Sequence, residues 1–109
     1  MGRVDYFKKY WGRKSTSVCW EIAIGIFKEY RNRGIGYQAQ KMLVDYNFTH
    51  YPVHRIQVTT DSLNVAEQKC VEKIGFVQEG IIRECQWREG KWNDQLMYSL
   101  MRTEWDNQL

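Results

Sequence analysis

Apolar positions predict four strands. The run from Val18 to Phe27 is apolar apart from Glu21 and rich in β-branched residues, which predicts a buried strand. Arg55 to Thr60 alternates with a period of two, which predicts a strand with one half-solvated face. Ile81 to Trp87 and Trp92 to Met101 predict two more strands, joined by a short turn that contains a glycine.

Two segments are predicted to be helical. From Tyr37 to about Phe48, apolar residues recur at helical spacing, and Pro52 ends any helix that reaches it. The second helix runs from about Val65 to Ile74. The polar residues before it supply capping groups, and Gly75 supplies a C-terminal cap.

The order of these elements is strand, helix, strand, helix, strand, strand. It predicts an α/β or α+β fold, and a length of 109 residues fits one domain covering residues 1–109. The opening βαβ unit should be parallel and right-handed. Residues 1–17 are polar and aromatic, and they are predicted to be a short irregular lead-in with Tyr6-Phe7 and Tyr10-Trp11 as strand candidates.

The net charge of +3 is small, and acidic and basic residues are interspersed. This pattern is typical of a mixed solvated surface and gives no support for nucleic-acid binding, although it is compatible with a modest attraction for small anions. No signal-peptide pattern and no apolar run of transmembrane length occurs, so we expect a cytoplasmic protein without a membrane partner.

The three cysteines, Cys19, Cys70 and Cys85, are widely spaced. They form no C-x-x-C pair, and His50 and His54 have no cysteine close to them in the sequence. We therefore expect reduced thiols and no metal site.

A glycine-containing loop, Arg31-Asn32-Arg33-Gly34-Ile35-Gly36, lies between the first strand and the first helix. The first turn of a helix has backbone N–H groups without partners and carries partial positive charge, and glycine allows a ligand to approach closely. A pyrophosphate fits such a place. An ordinary turn is the alternative, and the loop lacks the Gly-Lys-Ser/Thr of a P-loop.

Three blocks in order resemble the GNAT superfamily of N-acetyltransferases. Ile26 to Gly36 resembles its acyl-CoA motif, R/Q-x-x-G-x-G/A, and Asn64 to Phe76 resembles its Asn-led helix that ends in E-K-x-G-F. Glu79 to Glu84, followed by Glu89 to Asp94, is similar to the tail of the branch that acetylates amino termini of ribosomal proteins. The resemblance covers residues 18–105 and implies a mixed sheet with splayed central strands and flanking helices.

The resemblance also implies a function, which is acetyl transfer from acetyl-CoA to a primary amine such as a protein amino terminus or a small amine. In the family, the splayed strand binds the pantetheine arm through its backbone and the loop amides hold the pyrophosphate. The cofactor-binding residues implied here are Ile24, Gly25, Ile26, Arg31, Asn32, Arg33, Gly34, Ile35, Gly36 and Asn64. Helix N-capping alone would also explain Asn64.

Glu21 is the candidate general base, because it is the single acidic or basic residue of an apolar strand and burial penalises the charged form of a carboxylate. The alternative is a glutamate near the solvent that pairs with an arginine. Glu84 is a lesser candidate. Many family members have a tyrosine as general acid where this chain has Val71, and the adjacent Cys70 is interpreted as a small core residue.

Three aromatic residues, Trp87, Trp92 and Tyr98, lie on the last two predicted strands. They could form a wall of the amine pocket, but sheet core or a dimer contact is favoured. Before the acyl-CoA motif the chain is shorter than the family pattern and lacks its usual N-terminal strand and helices. We therefore expect a homodimer, for which exchange of C-terminal strands is one arrangement, or complementation by another chain. An acetyl-CoA-binding module or partner subunit without catalysis is the alternative function.

Overall fold

The computed structural model describes residues 2–13, 18–26 and 35–108. It contains a five-stranded mixed sheet and three helices within these ranges. In chain order the elements are β1 Gly2–Tyr10, β2 Val18–Ile26, α1 Ile35–His50, β3 Arg55–Asp61, α2 Val65–Ile74, β4 Val77–Arg88, β5 Lys91–Met101 and α3 Arg102–Asp106. The strand order is β1-β2-β3-β5-β4. β2 and β3 are parallel, as predicted, and the other neighbours are antiparallel.

The prediction that residues 1–17 are irregular is wrong for Gly2–Tyr10. Gly2–Tyr10 is a strand that pairs with β2 along its whole length, from Gly2 opposite Ile26 to Tyr10 opposite Val18. β1 forms one edge of the sheet, and an edge strand tolerates charged residues such as the exposed Lys8 and Lys9. The strand candidates Tyr6-Phe7 and Tyr10 lie in this strand, whereas its regular pairing was not predicted.

The two predicted helices are present. α1 begins at Ile35, two residues earlier than predicted, and ends at His50 ahead of Pro52. α2 has the predicted bounds and the predicted cap, because Gly75 adopts the left-handed conformation with φ of 119°. A Cβ atom at this position would meet only the end of the exposed Gln108 side chain at close range, so it is the backbone conformation that requires glycine. Within the described residues, no helix has the length and apolar character needed to cross a membrane.

One face of the sheet, called here the helix-covered face, packs against α1, α2 and α3. Alternate residues of β2, β3 and β5 point to this face, and the helices bury their apolar residues on it. This core consists of Ile22, Val44, Phe48, Val53, Ile56, Val58, Val71, Ile74, Phe76, Leu96, Tyr98, Leu100 and Trp105. The residues between them on each strand point to the opposite face.

β3 is buried on both faces, so the predicted half-solvated face is wrong. Gln57, which points away from the helix-covered face, has no exposed surface. Trp11, Cys19 and Arg55 surround its amide with hydrogen-bond donors. A polar side chain can be buried in a strand when partners of this kind satisfy it.

The last two strands form the predicted hairpin. Its two-residue turn, Glu89-Gly90, has positive φ at both positions (55° and 78°), which matches the twist of antiparallel strands. α3 was not predicted. It follows β5 directly, and the Glu104 carboxylate accepts a hydrogen bond from the Met101 N–H at its start, while Trp105 stacks on Phe48 with ring centroids 5.1 Å apart.

Candidate functional site

The parallel strands β2 and β3 pair over only two positions. Trp20 lies opposite Ile56 and Glu21 lies opposite Gln57, and the ladder does not continue within the described part of either strand. Beyond this point the strands diverge toward their carboxyl ends, which confirms the predicted splayed strands. We call this divergence the fork. Crevices at the carboxyl ends of parallel strands are common ligand sites, since backbone groups there lack a neighbouring strand.

The predicted cofactor residues fall into two groups. Ile24, Gly25 and Ile26 form the end of β2, on the diverging side of the fork, and Ile35 and Gly36 are the first two residues of α1. The remaining residues of the glycine loop lie outside the described residues: Arg31, Asn32, Arg33 and Gly34. β2 is already paired with β1 on its other edge, so the backbone groups of its end that are left open face the fork.

Asn64 is the N-cap of α2. Its side-chain oxygen accepts a hydrogen bond from the Glu67 backbone N–H at 3.1 Å, which establishes the capping interpretation. The residue is exposed and lies just beyond the carboxyl end of β3, on the same side of the sheet edge as the opening of the fork. Its position is therefore compatible with a second contact to a ligand in the fork.

Polar contacts join the first two turns of α2 to the second turn of α1. Nε2 of Gln40 donates to Oε1 of Glu67 at 2.7 Å and to Sγ of Cys70 at 3.4 Å. Burial raises the pKa of Glu67 above its usual value, and the hydrogen bond from Gln40 partly offsets this. These contacts fix the two helix starts relative to each other, next to the fork.

Glu21 is half-buried at the closed end of the fork. Its Oε1 accepts a hydrogen bond from Nε2 of Gln57 at 2.6 Å, so its described partner is an amide and not an arginine. The alternative reading of Glu21 predicted an arginine. The sequence reasoning missed Gln57, because a contact between residues 36 positions apart depends on strand register.

The other side of the Gln57 amide is also bound. Its Oε1 accepts from the indole Nε1 of Trp11 at 3.0 Å, from Nε of Arg55 at 3.2 Å and from Sγ of Cys19 at 3.4 Å. Arg55 forms an ion pair with Glu79 and lowers the pKa of that carboxyl. Burial raises the pKa of the Cys19 thiol.

Val71 is fully buried in the core. It occupies the position at which many family members have a tyrosine that acts as the general acid. The neighbouring Cys70 packs against the same core, as predicted. Burial, and next the charge of Glu67, raise the pKa of its thiol to about 11. Neither residue is suited to donate a proton near neutral pH.

The three predicted aromatic residues do not form one wall. Tyr98 belongs to the core, and its hydroxyl donates to Oε2 of Glu72 at 2.9 Å. Trp87 and Trp92 are exposed at the hairpin end, edge to face with ring centroids 5.4 Å apart. The core interpretation is therefore confirmed for Tyr98 and wrong for the two tryptophans.

Glu84 lies away from Glu21. It is on β4, which is separated from the fork by β5, in an irregular part of the strand where its φ is 46°. Its backbone N–H donates to Oδ1 of Asp94 at 2.8 Å, and an open cavity beside it is lined by Arg83, Glu84 and Asp94. The structure thus gives no geometric link between the two candidate carboxylates.

Comparison with known proteins agrees with this geometry. Residues 1–77 match the family model described as "Acetyltransferase (GNAT) domain", and the chain therefore belongs to the GNAT acetyltransferase family. Among its relatives is the uncharacterized N-acetyltransferase YnaD of Bacillus subtilis, 28% identical over 92% of this chain and 56% of the relative. The putative ribosomal N-acetyltransferase YdaF of the same organism is 31% identical over 81% of this chain and 48% of the relative.

The fold also matches solved structures. A GNAT-family acetyltransferase from Bacillus anthracis superposes with a TM-score of 0.79 at 27% identity, over 94% of this chain and 59% of that chain. The chain spans about half the length of the relatives that it matches.

Proposed function

We propose that this chain binds acetyl-CoA in the fork and transfers the acetyl group to a primary amine, with Glu21 as general base. The observation that carries the proposal is the divergence of β2 and β3 immediately after the Glu21–Gln57 pair. The open edge of β2 and the half-buried Glu21 carboxylate both lie at this point, the helix α1 follows β2 in the chain, and the chain belongs to a family of acetyltransferases.

The residues that border the fork suit the chemistry of acetyl-CoA. Pantetheine is an extended chain with two amides, and it can pair with the open backbone edge at Ile24, Gly25 and Ile26 as a neighbouring strand would. The loop from Arg31 to Gly36, which leads into α1, would hold the pyrophosphate through backbone N–H groups and the positive end of the helix. Asn64 would contribute its free amide hydrogens while its oxygen caps α2.

Glu21 would take a proton from the acceptor ammonium group, directly or through a water molecule. The neutral nitrogen then attacks the thioester carbonyl, so that an N–C bond forms, the C–S bond breaks and the nitrogen loses its surplus proton to solvent or to the departing thiolate. CoA leaves as a thiolate. Because a thiol has a pKa near 8.5, the thiolate can leave without an acid, which is compatible with Val71 at the place of the usual tyrosine.

The description of one relative supports a choice of acceptor. YdaF is described as a putative ribosomal N-acetyltransferase, so a protein amino terminus is the first candidate and a small amine the second. We further propose a cytoplasmic homodimer. The exposed pair Trp87 and Trp92 at the end of the β4–β5 hairpin is a surface that such a contact could bury.

An acetyl-CoA-binding module without catalysis is the second candidate function. It is favoured by one observation, the buried Val71 in place of a general acid. Two measurements separate the candidates, namely acetyl-CoA binding by calorimetry and release of free CoA thiol with a panel of amines and peptides.

The binding arm uses two matched variants. Gly36→Val, at the start of α1, should abolish acetyl-CoA binding because a side chain would block the backbone approach. Gly80→Val should keep it, since a Cβ atom at Gly80 meets no atom within 4 Å. Failure of the unmodified chain to bind acetyl-CoA would contradict both candidate functions.

The catalytic arm uses two carboxylates. Glu21→Gln should lower kcat by about 10²- to 10⁴-fold and leave acetyl-CoA binding intact, as expected for loss of a general base. Glu89→Gln, in the exposed hairpin turn, should leave turnover unchanged. Binding without thiol release for every amine would decide in favour of the binding module.

A further inference from the structure

A row of polar residues crosses the sheet on the face opposite the helix-covered face. Glu21 on β2, Gln57 on β3 and Ser99 on β5 are register partners in three successive strands. Gln57 and Ser99 are buried, and Glu21 is half-buried. The row thus connects the sheet interior to the closed end of the fork.

The chemistry of the neighbours fixes the orientation of the Gln57 amide. An indole N–H and a guanidinium N–H can only donate, so Trp11 and Arg55 require the amide oxygen on their side. The amide nitrogen must therefore face Glu21. Because an NH₂ group can only donate, Glu21 accepts through Oε1 at 2.6 Å.

This hydrogen bond restricts the orientation of the Glu21 carboxylate. The Glu21–Gln57 pair is the last register pair before the strands diverge, so in the described residues β3 pairs with β2 no further along that edge. Oε2 of Glu21 has no hydrogen-bond partner in the described part of the chain. One carboxylate oxygen is held and the other is left for an external proton donor.

We propose that Gln57 is a positioning residue for this base: it holds Oε1 of Glu21, so that Oε2 is presented to the acceptor amine at the closed end of the fork. Trp11 and Arg55 donate hydrogen bonds to the amide oxygen of Gln57 and so prevent the amide group from rotating by 180°. This inference rests on the proposed function, because it requires Glu21 to be the base. Gln57 itself exchanges no proton and touches no reacting atom.

Steady-state kinetics of Gln57→Leu tests the role. We expect kcat to fall on the order of 10- to 100-fold, because a misplaced catalytic group loses rate without losing binding, while KM for acetyl-CoA changes less than about 2-fold. Gln95→Leu is the matched control. Gln95 also lies in the sheet and its amide pairs with Gln86 at 2.7 Å, but it lies on β5, which β3 separates from β2 and Glu21, and its loss should leave kcat unchanged.

A pH profile separates positioning from a structural role. In Gln57→Glu the new carboxyl group can donate to Glu21 only when protonated, so the ratio of its kcat to that of the unmodified chain should rise as the pH falls. A purely structural role predicts a ratio independent of pH. Trp11→Phe removes one donor at an exposed side chain, so it should fold and should lower kcat less than Gln57→Leu does.

The outcomes separate this inference from the proposed function. Unchanged kcat in Gln57→Leu, with thiol release still dependent on Glu21, overturns the positioning role alone. Absence of turnover in the unmodified chain overturns both. If Gln57→Leu does not fold, Trp11→Phe and the pH profile of Gln57→Glu decide, and an unchanged kcat in the first with a flat ratio in the second overturns the inference.

Discussion

The two faces of the sheet use the same strands for different purposes. In β3, Ile56 and Val58 point to the helix-covered face and are fully or nearly fully buried among apolar side chains. Arg55 and Gln57 alternate with them and point to the opposite face, where every described contact of their polar groups is a hydrogen bond or an ion pair. Successive residues of one strand therefore serve different purposes: those that point to the helix-covered face build the core, and those that point to the opposite face form the polar contacts.

The helix-covered face should carry most of the stability. Leu100→Ala removes a fully buried side chain and should lower the free energy of unfolding by about 2–5 kcal/mol, as large-to-small core substitutions do. Met97→Ala on the opposite face, where Met97 is half-buried, should cost less than half as much. Urea unfolding measures both, and equal losses would break the distinction between the faces.

Tyr98 is a polar exception on the helix-covered face. Tyr98→Phe removes the hydrogen bond to Glu72 and should lower the free energy of unfolding by about 1 kcal/mol. Burial, and then Glu72, raise the pKa of Tyr98 to about 12 from 10.0. Its folded pKa exceeds its unfolded pKa, so the unmodified chain should lose stability as the pH rises from 10 to 12. The variant should not show this loss; an identical loss in both proteins would exclude Tyr98 as its cause.

Glu67 lies between the two helices near the fork, and its burial should make the stability of the chain depend on pH. Burial raises its pKa, so its charged form costs stability above the folded pKa, and the cost disappears below the unfolded value. Glu67→Gln can still accept from Gln40 and should stabilise the chain at pH 7 by less than about 1 kcal/mol, since the side chain is only half-buried. Thermal unfolding at pH 7 and pH 4 is the measurement. A gain that persists at pH 4 would contradict the electrostatic cause.

The ion pair of Arg55 with Glu79 should have the smallest effect. Because the ion pair is partly exposed to solvent, Glu79→Gln should lower the free energy of unfolding by only a few tenths of a kcal/mol at neutral pH. Because Arg55 lowers the pKa of Glu79, that contribution is present above the unfolded pKa and is lost as the pH falls. Denaturant titration at pH 7 and pH 3 checks this. A loss above about 1 kcal/mol would mean that the opposite face supports the fold more than proposed.

The sequence predicted local features better than contacts between strands. The apolar run of β2 and the caps of α2, Asn64 and Gly75, depend on neighbouring residues and were predicted with their bounds nearly correct. β1 was expected only as an irregular strand around Tyr6-Phe7 and Tyr10-Trp11, because an edge strand needs no apolar pattern on both sides. α3 was missed because a helix of five residues depends on tertiary packing, here of Trp105 on Phe48.

The candidate site shows the same division. Glu21 could be chosen from the sequence as a lone carboxylate in an apolar strand. Its partner Gln57 could not be chosen, because the pairing requires the register of two parallel strands joined by a helix. The fork itself was expected from the family resemblance and not from any pattern of residues along the chain.

If acetyl-CoA binds in the fork as proposed, its binding would also change the stability of the fold. A pantetheine arm seated along Ile24 to Ile26 would fill the place of a strand, so binding would complete the sheet and would be confined to the folded state. Linkage then converts occupancy into stability, about 2.7 kcal/mol at a ligand concentration 100 times Kd. In a cell, resistance of the domain to thermal unfolding and proteolysis would rise and fall with the acetyl-CoA supply.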